Sequence, residues 1–182
     1  MSYCKYINTL KPGEEPAHKI YHDNQYGFPI EDDNELFCRL IFEINQAGLS
    51  WTIILKKQET FRNAYHNFDI KKVAAYTDKD VQRLLNDAGI IRNRLKINAA
   101  IKNAKTIVTL QNEFGSFNNW LRQQHPKSRE EWTQLFKKTF CFTGGEIVNE
   151  FLVSTGYLPG AHDASCRVYK KIIEAKPLWN KK

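Results

Sequence analysis

The sequence predicts a compact all-α domain on three observations. Apolar residues recur at three- and four-residue spacing through most of the chain. Ser, Thr and Asp stand just ahead of those runs, where helices start. Period-two alternation, the mark of a half-buried strand, is nearly absent. At 182 residues with 42% hydrophobic and 13% aromatic content, the chain can bury a core, and its length suits one domain over 1–182. No apolar run approaches the roughly 20 residues of a membrane span. The polar start MSYCKYINTLKPGEE does not read as a secretory signal, so a cytoplasmic, membrane-free protein is expected. Lys and Arg number 27 against 20 Asp and Glu, a formal charge of +7 that favours a polyanionic partner. The cysteines Cys4, Cys38, Cys141 and Cys166 then suggest thiols or metal ligation rather than a disulfide framework.

The elements follow in order. Asp33 precedes NELFCRLIFEINQA, with Leu36, Leu40, Ile44 and Ala47 at helical spacing. Ser50 can cap one helix over WTIILKKQETFRNAYHNF, and Asp69 opens a short one through Val73. Thr77 and Asp80 form a capping-box pattern ahead of Val81 and Leu84, and Gly89 offers that helix a left-handed stop. A long helix is expected from about Ile91 through Val108. Ser116 caps FNNWL, Ser128 pairs with Glu131, and Thr143 pairs with Glu146 ahead of a helix that Gly156 ends. The loops richest in Pro and Gly are 11–30 and 156–167.

Those two loops, with Cys4 just before them, hold Cys4, His22, His162 and Cys166. Two Cys and two His suit tetrahedral Zn²⁺, and four protein ligands leave no open position, so such an ion would be structural. The spacing alone also accommodates two buried thiols with surface histidines, and His18 rivals His22. Cys38 and Cys141 sit in apolar contexts and read as core thiols.

Glu43 is the odd residue of its helix. Positions 36, 40, 43 and 47 fall on one stripe, so its carboxylate shares the inward face with Leu36 and Leu40. A carboxylate there is costly unless paired or used, the alternative being a solvated pair with Arg39. LLNDAGIIRNRLK reads as helix, glycine turn and second helix opening with Arg92, Arg94 and Lys96. Backbone N–H groups at such a start can hold a phosphate, although an ordinary helical hairpin fits the pattern as well. Tyr6, Tyr21, Tyr26 and Trp51 flank the loops and a helix start.

Taken together, YHDNQYG (21–27), DDNELF (32–37), QAGLSWTIILKK (46–57), FDIKKVA (68–74), LLNDAGIIRNRLKINAAIKNA (84–104) and GSF (115–117) resemble the DNA-3-methyladenine glycosylase I family. The similarity runs from residue 1 to about 120 and resumes at FCFTGGEIVNEFLVSTGY (140–157), His162 and Cys166. The resemblance implies an all-α helix-hairpin-helix glycosylase, with the hairpin at about 78–108 and zinc-binding termini at 1–27 and 156–170. It implies hydrolysis of the N-glycosidic bond of 3-methyladenine in alkylated duplex DNA, reached by base flipping, with free 3-methyladenine as product. With no Lys obviously placed for a Schiff base, a monofunctional enzyme without lyase activity is expected, and a monomer suffices. By motif, Cys4, His22, His162 and Cys166 resemble the family's zinc ligands, and Glu43 its base-reading carboxylate. Tyr21 and Trp51 match the aromatic pocket, with Tyr6 and Tyr26 beside them. Gly48 and Leu49 match the segment that enters the gap in the duplex, and Gly89, Arg92, Arg94 and Lys96 the strand-binding hairpin.

The chain also departs from the family pattern. Tyr6 and Tyr26 stand where tryptophan is more usual, GGE replaces a GP-type turn at 144–146, and YLPGAH precedes the zinc histidine. IKNAKTIVTLQNEF carries no Asp where many such enzymes hold a catalytic one. These differences keep two further readings open: a shifted alkylated-base preference, and a non-catalytic reader of DNA lesions.

Overall fold

The computed structural model describes residues 1–181. All of its regular structure is helical: α1 (Tyr3–Thr9), α2 (Pro16–Asn24), α3 (Asp33–Gln46), α4 (Trp51–Lys56), α5 (Gln58–Ala64), α6 (Ile70–Ala74), α7 (Asp78–Leu85), α8 (Arg94–Phe114), α9 (Phe117–Gln124), α10 (Arg129–Thr139), α11 (Gly145–Ser154) and α12 (Tyr169–Glu174). Single 3-10 turns lie at His66–Phe68 and Leu178–Asn180. No helix is long and apolar enough to cross a membrane among the described residues.

Helix α3 is the axis of the molecule. Every residue from Leu36 to Asn45 is buried, and α4, α8, α9 and α11 all pack on it. Phe37 and Phe42 meet Phe68 edge-on at 5.9 and 5.5 Å, and Phe61, Tyr65 and Phe68 stack in sequence. A second aromatic group, Phe117, Trp120, Phe136, Phe140 and Phe151, joins α9, α10 and α11. Cys38 is fully buried as expected, whereas Cys141 is only half-buried.

Both ends of α3 are held by side chains. Asp32 caps its N-terminus by accepting from the Glu35 amide at 2.8 Å. Asp33 in the first turn reaches across the fold and accepts from the Phe117 and Asn118 amides, at 2.8 and 2.9 Å, and from Gln111 Nε2 at 2.7 Å. It thus satisfies two of the amides that open α9. At the other end, the Lys96 ammonium donates to the carbonyls of Asn45 and Ala47 at 2.9 and 2.7 Å. A cation on terminal carbonyls is favoured by the helix dipole as well as by the hydrogen bonds.

Three local expectations need correction. The single helix expected over 51–68 is broken at Lys57 and Tyr65. The break lets Lys57 Nζ reach the Ala88 carbonyl at 2.7 Å and Thr60 Oγ1 reach the Gly89 carbonyl at 2.6 Å, tying α5 to the α7–α8 turn. Helix α7 ends at Leu85, and Gly89 is not its left-handed stop. Gly89 instead allows close approach: a Cβ there would lie 2.9 Å from both Asp87 Oδ1 and Thr60 Cβ. Thr143 does not box with Glu146, because its hydroxyl donates to the Phe136 and Phe140 carbonyls and Gly144 becomes the cap of α11. The boxes at Thr77–Asp80 and Ser128–Glu131 form as read, and Gly156 follows the end of α11 at φ +79°.

Asp33→Ala strands two α9 amides, so it is expected to lower unfolding free energy by about 2–4 kcal/mol. Chemical denaturation checks this, and a loss under about 0.5 kcal/mol would mean that α9 does not depend on the cap.

Candidate active site

A cavity of about 430 Å³ opens between the N-terminal helices, α3, α4 and α11. Its walls are largely aromatic: Tyr3 and Tyr6 from α1, Tyr21 from α2, Tyr26 from the loop that follows, and Trp51 at the start of α4. The rings touch one another. Tyr21 lies 5.1 Å from Trp51 and 5.5 Å from Tyr26, and Tyr3 lies 5.4 Å from Tyr26 and 6.1 Å from Tyr6, centroid to centroid. All four aromatics singled out by the sequence therefore meet in one place. The Trp51 indole N–H is buried with no acceptor among the described residues, an orphaned donor at the cavity wall.

Glu43 projects from the last turn of α3 into this aromatic space and is 4% exposed. The solvated Glu43–Arg39 pair does not form. Arg39 is itself buried, donates to the Tyr21 hydroxyl at 3.3 Å and covers the Tyr21 ring at 5.1 Å. Glu43 makes no ion pair or hydrogen bond to another side chain among the described residues. Burial pushes its carboxyl group up to about 8, the nearby Glu150 charge adds to that, and Arg39 opposes it. In the empty cavity Glu43 is thus a carboxylic acid at neutral pH, able to donate or to accept.

Four lining residues escaped the sequence reading: Tyr3, His18, Gln46 and Glu150. His18, weighed only as a rival ligand, is held by the Tyr3 hydroxyl at Nδ1 and Thr52 Oγ1 at Nε2, both at 2.9 Å. Burial lowers its pKa, which keeps it neutral. Glu150 shares a stripe of α11 with Ile147 and Ser154, the same signal that exposed Glu43 on α3. Tyr3, one residue before Cys4, carried no such signal.

The four candidate ligands also converge. Cys4 Sγ lies 3.4 Å from His22 Nε2 and 3.5 Å from His162 Nδ1, while Cys166 Sγ lies 3.7 and 3.6 Å from the same nitrogens. The four donor atoms all fall within 4.8 Å of one another and could hold a metal ion. The other nitrogen of each ring is engaged, His22 Nδ1 with Asp23 at 2.8 Å and His162 Nε2 with the Tyr26 carbonyl at 2.8 Å. Such outer contacts fix ring orientation in metal sites. Burial raises the Cys4 thiol to about 11 and lowers His162. Gly27 permits the assembly: at φ +80° it sits where a Cβ would fall 2.5 Å from Ala161 Cβ, beside His162.

The segments expected to face DNA divide. Gly48 and Leu49 are exposed in the α3–α4 loop and line a groove with Gly144 and Gly145 that shares Glu43 and Glu150 with the cavity. Arg92 and Arg94 are exposed at the turn before α8. Lys96 departs from the expected phosphate contact: it is 5% exposed, with its ammonium held by the α3 carbonyls. The amides of Leu95 and Lys96 are likewise taken by the Asn93 side chain, and that of Gly89 by Asp87. Of the basic residues read at this turn, only Arg92 and Arg94 therefore remain exposed, and those amides are already paired.

Comparison with known proteins identifies the family. The family model described as methyladenine glycosylase matches residues 11–134. DNA-3-methyladenine glycosylase 1 of Escherichia coli (strain K12) is 35% identical, the alignment covering 93% of this chain and 97% of that protein. A solved structure on 3-methyladenine recognition by the 3-methyladenine DNA glycosylase I of Staphylococcus aureus superposes with a TM-score of 0.76 at 31% identity, covering 84% of this chain and 91% of that one. A crystal structure of a 3-methyladenine DNA glycosylase I variant in complex with 3-methyladenine superposes with a TM-score of 0.79 at 29% identity, covering 92% and 97%. The chain belongs to the methyladenine glycosylase family of enzymes.

Proposed function

We propose that this protein removes 3-methyladenine from alkylated duplex DNA by hydrolysing its N-glycosidic bond, leaving an abasic site. The observation that carries this reading is a helical carboxylate, Glu43, buried in an aromatic cavity without an ion-pair or hydrogen-bond partner among the described side chains. A base stacked in a duplex cannot reach such a cavity, so the nucleotide is flipped out, at a cost of a few kcal/mol that is lower for a damaged base. Leu49, 39% exposed at the tip of the α3–α4 loop beside the groove, fits the role of the wedge that fills the gap. Lys96 binds the start of α8 to that loop, so Arg92 and Arg94 can grip phosphates alongside the wedge.

Methylation at N3 gives the base a positive charge, and the pocket is built for one. Tyr21 and Trp51 offer ring faces, with Tyr6 and Tyr26 completing the wall, each such contact being worth roughly 0.5–2 kcal/mol. Entry of a cation favours the ionised form of Glu43, which then accepts from the base edge through a charge-assisted hydrogen bond. When the bond from C1′ to the base breaks, its electron pair leaves with the base and cancels that charge. Water adds to C1′ and gives up a proton. The leaving group is already good, so the protein mainly positions and stabilises. No side chain is placed for a Schiff base in the cavity lining, in keeping with a monofunctional enzyme.

We assign the four-ligand cluster to structural zinc. A tetrahedral ion with Zn–S of about 2.3 Å and Zn–N of about 2.05 Å sets S···N edges of about 3.5 Å. The four such edges here measure 3.4–3.7 Å. With all four positions filled by protein, the ion supplies no Lewis acidity; it ties α1 and α2 to the 162–166 loop and so fixes the Tyr3, Tyr6 and Tyr26 wall. Metal analysis is expected to give about one Zn²⁺ per chain, and Cys166→Ser to lose it with a clear fall in Tm. A metal-free protein with unchanged unfolding would overturn the assignment.

The activity test is release of bases from methylated duplex DNA, with the products separated and identified. Wild-type protein is expected to release 3-methyladenine, and Glu43→Gln to do so about 10–100-fold more slowly, the effect of losing one charged hydrogen bond. The same variant is expected to be the more stable protein at alkaline pH. Glu43 has its folded value, about 8, above its ordinary 4.5. Its contribution to stability is therefore complete below pH 4.5 and is lost as pH rises through about 8. The Tm difference in favour of Gln should open across that window by several degrees. Undiminished release by a folded Glu43→Gln protein would remove Glu43 from the reaction.

A further inference from the structure

Glu43 is not the cavity's only carboxylate. Glu150, on the stripe of α11 that faces α3, lines both the cavity and the adjoining groove, and in each it stands with Glu43. Its oxygens are held by one wall residue and one sequence neighbour: the Tyr26 hydroxyl donates to Oε2 and Asn149 Nδ2 to Oε1, each at 3.3 Å. No Lys or Arg lines this space, and none pairs with Glu150 among the described residues. Its surroundings explain neither carboxylate as a structural pair.

We infer that Glu150 is a second base-reading carboxylate, and that with Glu43 it selects purines bearing a full positive charge and releases a proton as they bind. This rests on the reading of the cavity as the base pocket. Two carboxylates in one low-dielectric space do not both ionise readily, because each disfavours the other's charge. Glu150 accordingly raises Glu43, after burial itself. A cationic ring between them removes that penalty, so Glu43 ionises and its proton goes to solvent. A neutral purine offers no such compensation. Discrimination between alkylated and normal bases thus gains a charge criterion on top of shape.

The other groups facing the pair do not take over the titration. Tyr3, Tyr21 and Tyr26 are pushed up by burial and stay neutral phenols, and Tyr6 faces the same space. His18 is lowered by burial and is neutral above its reduced value. Arg39 sits behind the Tyr21 ring, and Glu146, in the groove, is exposed and paired with Arg129.

The test uses 3,9-dimethyladeninium, a purine cation that mimics the lesion without a cleavable bond, with the full-length protein. Calorimetry in two buffers of different ionisation enthalpy reads protons released per molecule bound. Wild-type protein is expected to release close to one proton near pH 7 and almost none by about pH 9, with affinity rising over the same interval as the Glu43 proton is removed. In Glu150→Gln, release near pH 7 should fall, and affinity at about pH 9 should drop about tenfold or more from the loss of a charged acceptor. A residue that merely supports the wall would lower affinity at every pH and leave proton release unchanged, which would overturn the inference, as would an unaltered Glu150→Gln. Failure of the wild-type protein to bind the cation at all would defeat the pocket reading itself.

Discussion

The molecule is organised around one costly arrangement, a carboxyl group on the buried face of its central helix. Leu36, Leu40 and Ile44 make α3 an ordinary core helix, fully enclosed by its neighbours. Glu43 breaks that pattern where the packing opens into an aromatic cavity. Ionising it there is unfavourable without a partner, and none of the described residues supplies one. In the proposed function, that cost becomes selectivity when the missing partner is a positively charged base.

A group used this way must not move, and much of the surrounding structure holds it. Asp33 anchors the start of α3 to α9, and Lys96 holds its end to α8. Arg39 steadies Tyr21 through a hydrogen bond and its ring face, so the aromatic wall and α3 form one unit. The remaining wall, Tyr3, Tyr6 and Tyr26, comes from the N-terminal segment, and the helices at the two ends of the chain are too short to dock firmly by themselves. The Cys4, His22, His162 and Cys166 cluster draws them together, and the Tyr26 carbonyl that receives His162 carries the tie directly to the wall.

Much of this was legible in the sequence, for reasons that differ by feature. The capping boxes at Thr77 and Ser128 are local chemistry, so they formed where read. Glu43 was legible because a charged residue on an apolar helical stripe has few explanations. The ligand set needed family resemblance, since contacts between residues 4 and 166 leave no trace in local spacing. Errors arose where tertiary contacts outweighed local propensity: Lys57 and Thr60 broke a continuous helix to reach the Ala88–Gly89 turn. Lys96 was the most misleading, since a lysine among arginines at a helix start looks solvated; only the fold shows it turned inward onto two carbonyls. Glu150 lay on a readable stripe, but Glu146 and Asn149 beside it gave that turn the look of a solvated face.

The central claim, that the pocket keeps its carboxyl group protonated until a cation arrives, is open to direct observation. Carbon-13 NMR of protein labelled at glutamate Cδ, with Glu43→Gln identifying the resonance, follows the group through pH. The account predicts a midpoint at about 8 in the free protein. It also predicts a shift well toward the acid side when a cationic purine occupies the cavity. A Glu43 midpoint at the ordinary 4.5, unmoved by the cation, would contradict it.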